Sequence, residues 1–123
     1  MTSVESAVVV ERDDLLPGPD SAVVEVLSCG LCGTDRHIFR GEYPSRLPLV
    51  PGHEFGGRIL SAPPGTPWQA GDIVSVDPNV SCGMCQDCAA GRTALCADRY
   101  ALGVDVDGGL SQQVRVPLQQ LHR

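Results

Sequence analysis

The chain has no lysine: its nine basic residues are all arginine, set against fifteen acidic ones, for a net charge of −6 over 123 residues. An acidic chain without a basic patch is a poor partner for nucleic acid or an anionic membrane surface. No apolar run approaches the roughly 20 residues a membrane-spanning helix needs. Met1 to Val10 reads as a poor secretory leader, because it carries Glu5 and no basic residue ahead of its short apolar run. Aromatic residues make up only 4%. Nowhere does a G-x-G-x-x-G string follow a strand pattern, so the chain has no turn to cradle a dinucleotide phosphate. Together these absences point to a cytoplasmic protein that binds neither nucleic acid nor membrane.

Glycine, proline and cysteine are abundant. Fourteen Gly and ten Pro predict many turns, short strands and few long helices. A 42% hydrophobic and 20% charged composition is that of a globular domain. At this length one core forms, burying about two-thirds of the unfolded surface. Six cysteines would suit disulfides in a secreted protein. Without a secretion signal, metal binding in a reducing compartment becomes the leading reading.

The pattern predicts strands at Val8–Val10, Ala22–Ser28, Phe55–Ser61 and Asp72–Asp77. A hairpin is expected where Val104 and Val106 alternate with Asp105 and Asp107, Gly108-Gly109 turns, and Leu110–Val116 returns. Thr34 is the expected cap of a short helix from Asp35 to Arg40, stopped by Gly41. One further helical turn is expected near Asp87–Ala90, before Gly91. The fold class is therefore mainly β, a small barrel or sandwich-like unit. The last residues, Leu121-His122-Arg123, carry no stop signal, and the chain is expected to continue in its parent protein.

Cys82, Cys85, Cys88 and Cys96 lie within fifteen residues. Two-residue gaps let a turn aim successive sulfurs at one point, and four thiolates can close around one Zn²⁺ tetrahedrally. Such a closed site is structural. The lobe over residues 81–97 has little core beyond Met84, Leu95 and several Ala. Zinc would then supply most of its folding free energy, on the order of 10 kcal/mol. Two disulfides, or free thiols, are the alternatives.

A sparser group stands upstream: Cys29, Cys32, Thr34, Asp35, His37, His53 and Glu54. One thiolate, one imidazole and a carboxylate suit a zinc site with a vacant position. Glu54 adjoins His53, and neighbours on an extended segment point to opposite sides, so its coordination is transient at most. Cys29 and Cys32 also form a C-x-x-C pair with a redox reading of its own. Thr34 as a helix cap and His37 as part of a polar helix face are the plain alternatives. Phe39 and Tyr43 could line a pocket or pack in the core, and Trp68 in its Pro-rich loop covers one end of the barrel. His122 has no assigned role.

Three strings in order, Gly30-Leu31-Cys32-Gly33-Thr34-Asp35-Arg36-His37, then Pro51-Gly52-His53-Glu54-Phe55-Gly56-Gly57, then the four-cysteine run, are followed by Asp107-Gly108-Gly109. This arrangement resembles the zinc-dependent alcohol dehydrogenases of the medium-chain dehydrogenase/reductase family, its sorbitol-type polyol branch most. The resemblance implies a GroES-like, barrel-like catalytic domain over residues 1–123, with a small zinc-binding lobe and one short helix. It implies that Cys32 and His53 bind a catalytic zinc, with Glu54 beside it and Asp35 receiving the other ring N–H of the ligand His. It implies that Thr34 takes the substrate proton and His37 passes it to solvent, while Cys82, Cys85, Cys88 and Cys96 hold structural zinc. It further implies an alcohol or polyol substrate, NAD(P) as hydride acceptor and a homo-oligomeric full-length enzyme.

The match is partial. The dinucleotide-binding domain and the third ligand of the catalytic zinc fall, in the family, beyond Arg123. The chain alone is therefore expected to leave the catalytic site incomplete, to bind no NAD(P) and to turn over no alcohol. Pro51 stands where Leu is commoner, and Gly33 where some relatives are basic. Cys29 has no family role; it could replace the missing ligand or oxidise with Cys32. A stand-alone zinc-binding module with a structural or interaction role is the alternative function.

Overall fold

The computed structural model describes residues 1–123. Its strands are β1 (Ser21–Gly30), β2 (Glu54–Ser61), β3 (Ile73–Val76), β4 (Asn79–Val80), β5 (Tyr100–Ala101), β6 (Gln113–Pro117) and β7 (Leu121–His122). Helix α1 spans Gly33–Phe39 and α2 spans Gln86–Ala89. Five strands form one antiparallel sheet in the order β6-β1-β2-β3-β7, and β4 pairs with β5 in a second, two-stranded sheet. The mainly β class expected from the sequence is the one found. No helix is long and apolar enough to cross a membrane.

Period-two patterning explains the sheet. Val74 and Val76 on β3 point inward, as do Val114 and Val116 on β6, with Ser75 and Arg115 facing out. They join Ala22, Val24, Phe55, Ile59, Val80, Leu102 and Leu121 in the main core. Trp68 packs against this core with Arg123 stacked 4.5 Å from its ring centroid. A second cluster of Ile38, Leu49 and Val104 seats α1.

Strand β1 bends across the sheet, with register shifts at Val23/Val24 and between Val26 and Ser28. There Gly57 of β2 lies so close that a Cβ at this position would overlap the Glu25 carbonyl oxygen, a backbone atom that cannot swing away. Gly57→Ala is therefore expected to lower stability by roughly 3 kcal/mol through forced separation of β1 and β2. Urea denaturation with an unchanged m-value checks this.

Two of the expected strand features fail. Val8–Val10 forms no strand, and Val9 is fully exposed. A strand needs a backbone partner, and the adjoining arm meets β6 through side chains instead. Leu15 N–H donates to Gln113 Oε1, Gln113 Nε2 to Asp14, and Arg115 Nε to the Leu16 carbonyl. Nor is there a hairpin at Gly108-Gly109. Residues 101–106 fold into a tight turn in which Ala101 O accepts from Val104 and Asp105, and Asp105 Oδ2 accepts from Ala101 N–H. Strand β6 then pairs with β1 rather than with that turn.

Candidate metal centres

The four-cysteine lobe follows β4. Cys85 N–H points at Cys82 Sγ at 3.4 Å, Cys88 N–H at Cys85 Sγ at 3.4 Å, and Cys82 N–H at Cys96 Sγ at 3.5 Å. Helix α2, capped by Cys85, lies at Gln86–Ala89, one residue ahead of the turn expected near Asp87–Ala90 and before Gly91. All four sulfurs lie within 4.8 Å of one another, and all are free thiols. Cys82 Sγ and Cys88 Sγ are 3.9 Å apart. Metal–sulfur arms near 2.3 Å in a tetrahedron give sulfur–sulfur edges of about 3.8 Å, so this donor set has the size of a four-thiolate zinc site.

Electrostatics favour thiolate at Cys82. Backbone N–H groups of Met84 and Cys85, then a hydrogen bond with Cys96, lower the Cys82 thiol to about 7. At Cys85 the Cys88 N–H pulls downward, but the side-chain bond to Cys88 and burial outweigh it and the thiol is raised. Apolar support is thin. Met84 and Leu95 are both exposed, α2 buries nothing, and of the four cysteines only Cys96 is buried.

The upstream group assembles where β1 ends, α1 starts and β2 begins. Cys32 is the N-cap residue of α1, in place of Thr34. Asp35 explains that shift, because its Oδ2 accepts the Cys32 N–H at 2.9 Å and so starts the helix two residues earlier. Its other oxygen accepts the Gly52 N–H at 3.1 Å, which anchors the segment carrying His53. Asp35 is 3% exposed, so one buried carboxylate joins two distant stretches of chain.

Cys32, His53 and Glu54 place their ligand atoms within 4.8 Å of one another. Glu54 was expected to face away from His53. Strand β2 starts only at Glu54, so His53 still belongs to the loop and strand alternation does not apply between them. His53 Nδ1 is buried without a hydrogen-bond partner, and the nearest carboxylate oxygen, Asp35 Oδ1, is 3.6 Å away. That separation exceeds a hydrogen bond.

The remaining candidates divide. Cys32 Sγ lies 3.8 Å from Thr34 Oγ1, so the hydroxyl adjoins the cluster. His37 is half-exposed on α1, and its Nδ1 contacts Glu42 Oε2 at 2.6 Å. This bond to His37 holds the Glu42 carboxyl below its usual range. Glu42 was not singled out from the sequence; its place just past Gly41, where α1 ends, was the available signal. Cys29 on β1 donates to the Gly30 carbonyl, and burial, then Asp35 and Glu54, push its thiol up. A raised thiol beside carboxylates is a poor thiolate nucleophile, which weakens the redox reading of Cys29 and Cys32.

Residues 18–123 match the alcohol dehydrogenase GroES-like domain family. The chain belongs to this family. Among curated relatives, the D-altritol 5-dehydrogenase of Agrobacterium fabrum is 40% identical over 89% of the chain and 32% of its own length. The structure of Escherichia coli CFT073 RspB complexed with NADH superposes with a TM-score of 0.93 at 36% identity, over 99% of this chain and 36% of that one. A thermostable alcohol dehydrogenase from Pyrobaculum aerophilum with cobalt and zinc bound gives 0.88 at 29% identity, over 98% and 38%. The chain thus spans about a third of the length of the relatives it matches.

Proposed function

We propose that this GroES-like domain is the metal-bearing catalytic part of a zinc- and NAD(P)-dependent dehydrogenase that oxidises an alcohol or polyol. The observation that carries the reading is the pairing of a closed four-thiol cluster with an open thiol–imidazole–carboxylate cluster whose His53 Nδ1 is buried and unpartnered. The donor chemistry fits zinc at both places. Cys82, Cys85, Cys88 and Cys96 would hold a structural ion in the lobe over 81–97. Cys32 and His53 would hold a catalytic ion with Glu54 beside it, and further coordination would come from outside this chain. Relatives bound to NADH, to zinc and named for altritol support the same cofactors and substrate class.

Zinc bound at the open cluster supplies a Lewis acid that lowers the pKa of an alcohol. The chain's own residues do the rest. Asp35 fixes Cys32 and Gly52 through their N–H groups and so sets both ligand-bearing segments. The Thr34 hydroxyl, next to Cys32, would accept the substrate proton at Oγ1. His37, anchored through Nδ1 by Glu42, keeps Nε2 as the ring atom that hands the proton to solvent. A dinucleotide-binding domain elsewhere in the parent protein would hold the nicotinamide, and a cytoplasmic homo-oligomer is the proposed assembly.

The test is an assay of the native gene product with NAD⁺ and NADP⁺ over a panel of secondary alcohols and polyols. Oxidation of at least one polyol is expected, with Cys32→Ser lowering kcat/KM by about 10³-fold or more, roughly 4 kcal/mol of transition-state stabilisation. Turnover that survives Cys32→Ser overturns the site assignment. A native product no longer than this chain, with zinc but without nicotinamide binding, would favour a zinc-stabilised binding module.

A further inference from the structure

The three residues ahead of His53 have every backbone hydrogen-bonding group engaged. Val50 N–H donates to Asp107 Oδ1 at 2.9 Å, and Val50 O accepts from Gly108 N–H at 2.8 Å. Pro51 has no N–H, and its carbonyl accepts from Leu110 N–H at 2.9 Å. Gly52 N–H goes to Asp35, and Gly52 O accepts from Gly109 N–H at 2.7 Å. Four of these five bonds come from one stretch, Asp107–Leu110. The fit leaves no room for side chains: a Cβ on Gly103 or Gly108 would overlap the Gly52 carbonyl, and one on Gly109 would overlap the Phe55 side chain. Gly52 itself sits at φ +95°, a conformation other residues rarely adopt. The glycines the sequence offered as a hairpin turn thus permit a close backbone approach.

We propose that Asp107–Leu110 is a clasp that presets the His53 loop for metal, with Asp107 as its positioning residue. The inference rests on the reading of Cys32, His53 and Glu54 as a metal site. Asp107 makes the clasp's one side-chain bond to the loop. Its second oxygen is held by Arg12 Nη1 at 2.6 Å, which leaves Oδ1 aimed at Val50. His53 needs such outside support, because its own buried Nδ1 has no hydrogen-bond partner to orient the ring. Groups that orient a ligand from outside the coordination sphere are worth about 10–100-fold in metal affinity.

Cobalt(II) titration of the protein tests this through the visible bands of the ion, which separate an all-sulfur site from a mixed sulfur–nitrogen one. Asp107→Ala and Asp107→Ser, neither of which can reach Val50, are expected to weaken the mixed site by about 10–100-fold. The four-cysteine site should keep its parent affinity, and Asp107→Asn, which retains an acceptor oxygen, should restore most of the loss at the mixed site. Asp107 is about half-exposed, so neither truncation leaves a buried charge, and two truncations guard against one failing to fold. Parent-like cobalt affinity in both, or equal weakening at both sites, overturns the clasp. A parent protein with no mixed site at all overturns the metal reading, and the clasp's role with it.

Discussion

Cys88→Ser is expected to remove one zinc per chain and to unfold the lobe over residues 81–97 while the main sheet survives. The lobe has no alternative support. Met84 and Leu95 face solvent, α2 buries nothing, and the Arg92–Asp87 ion pair is too exposed to contribute more than about 1 kcal/mol. Against this stands a metal-binding free energy on the order of 10 kcal/mol, nearly all of it available only to the folded lobe. Loss of one of four thiolates forfeits most of that. Strands β4 and β5 flank the lobe, but Val80 is buried in the main core with Tyr100 packed against it, so disorder should stop at them. Metal analysis with hydrogen exchange reads both effects: one zinc fewer, and rapid exchange confined to the lobe over residues 81–97. A lobe that stays protected without zinc would show that its turns suffice.

Asp35→Ala is expected to lower global stability by about 3–5 kcal/mol and to scatter the upstream cluster. The carboxylate is buried and accepts two backbone N–H groups, Cys32 at 2.9 Å and Gly52 at 3.1 Å. A hydrogen bond to a charged group contributes about 1.5–3 kcal/mol, and each donor left buried and unpaired adds its desolvation penalty. Alanine removes both bonds at once. Asparagine keeps one acceptor oxygen and turns an NH₂ toward the other N–H, so Asp35→Asn should lose about half as much. Urea denaturation separates the two variants. An alanine variant within about 0.5 kcal/mol of the parent, the range of an ordinary surface change, would mean that water replaces the carboxylate.

Several features were legible because their cause is local. Phe55–Ser61 and Asp72–Asp77 showed their period-two alternation, and β2 and β3 lie there within a residue at each end. The four-cysteine lobe was legible because all its ligands fall in fifteen residues and a two-residue gap is itself a geometric statement. A short helix was expected at Asp35–Arg40 capped by Thr34; it spans Gly33–Phe39 and is capped by Cys32. Thr34 is the better residue by propensity, yet Asp35 reaches back to the Cys32 N–H, and that bond sets the start.

Features decided at long range stayed hidden. Val8–Val10 has strand composition but no partner, and nothing in the residues themselves reports that lack. Gly108-Gly109 reads as a turn because a glycine pair suits one. Only the approach of Gly52 and Phe55, more than fifty residues earlier in the chain, shows that absent side chains are what the pair contributes. Glu54 was expected opposite His53 because the two adjoin on a segment read as extended, yet their ligand atoms lie within 4.8 Å of each other. The upstream cluster unites residues 32, 53 and 54, and the residues alone left it ambiguous; the fold brings their ligand atoms together.

On the proposed function, Cys32, Cys82, Cys85, Cys88 and Cys96 serve metal, and none of the six cysteines forms a disulfide. Native mass spectrometry of the protein, purified from its source cells without added metal or chelator, tests it most directly. The expected mass carries zinc, at least one ion per chain from the four-cysteine lobe, with all six cysteines alkylatable after the metal is removed under denaturing conditions. A metal-free mass lower by the hydrogens of two or three disulfides, with the thiols correspondingly unreactive, would contradict it.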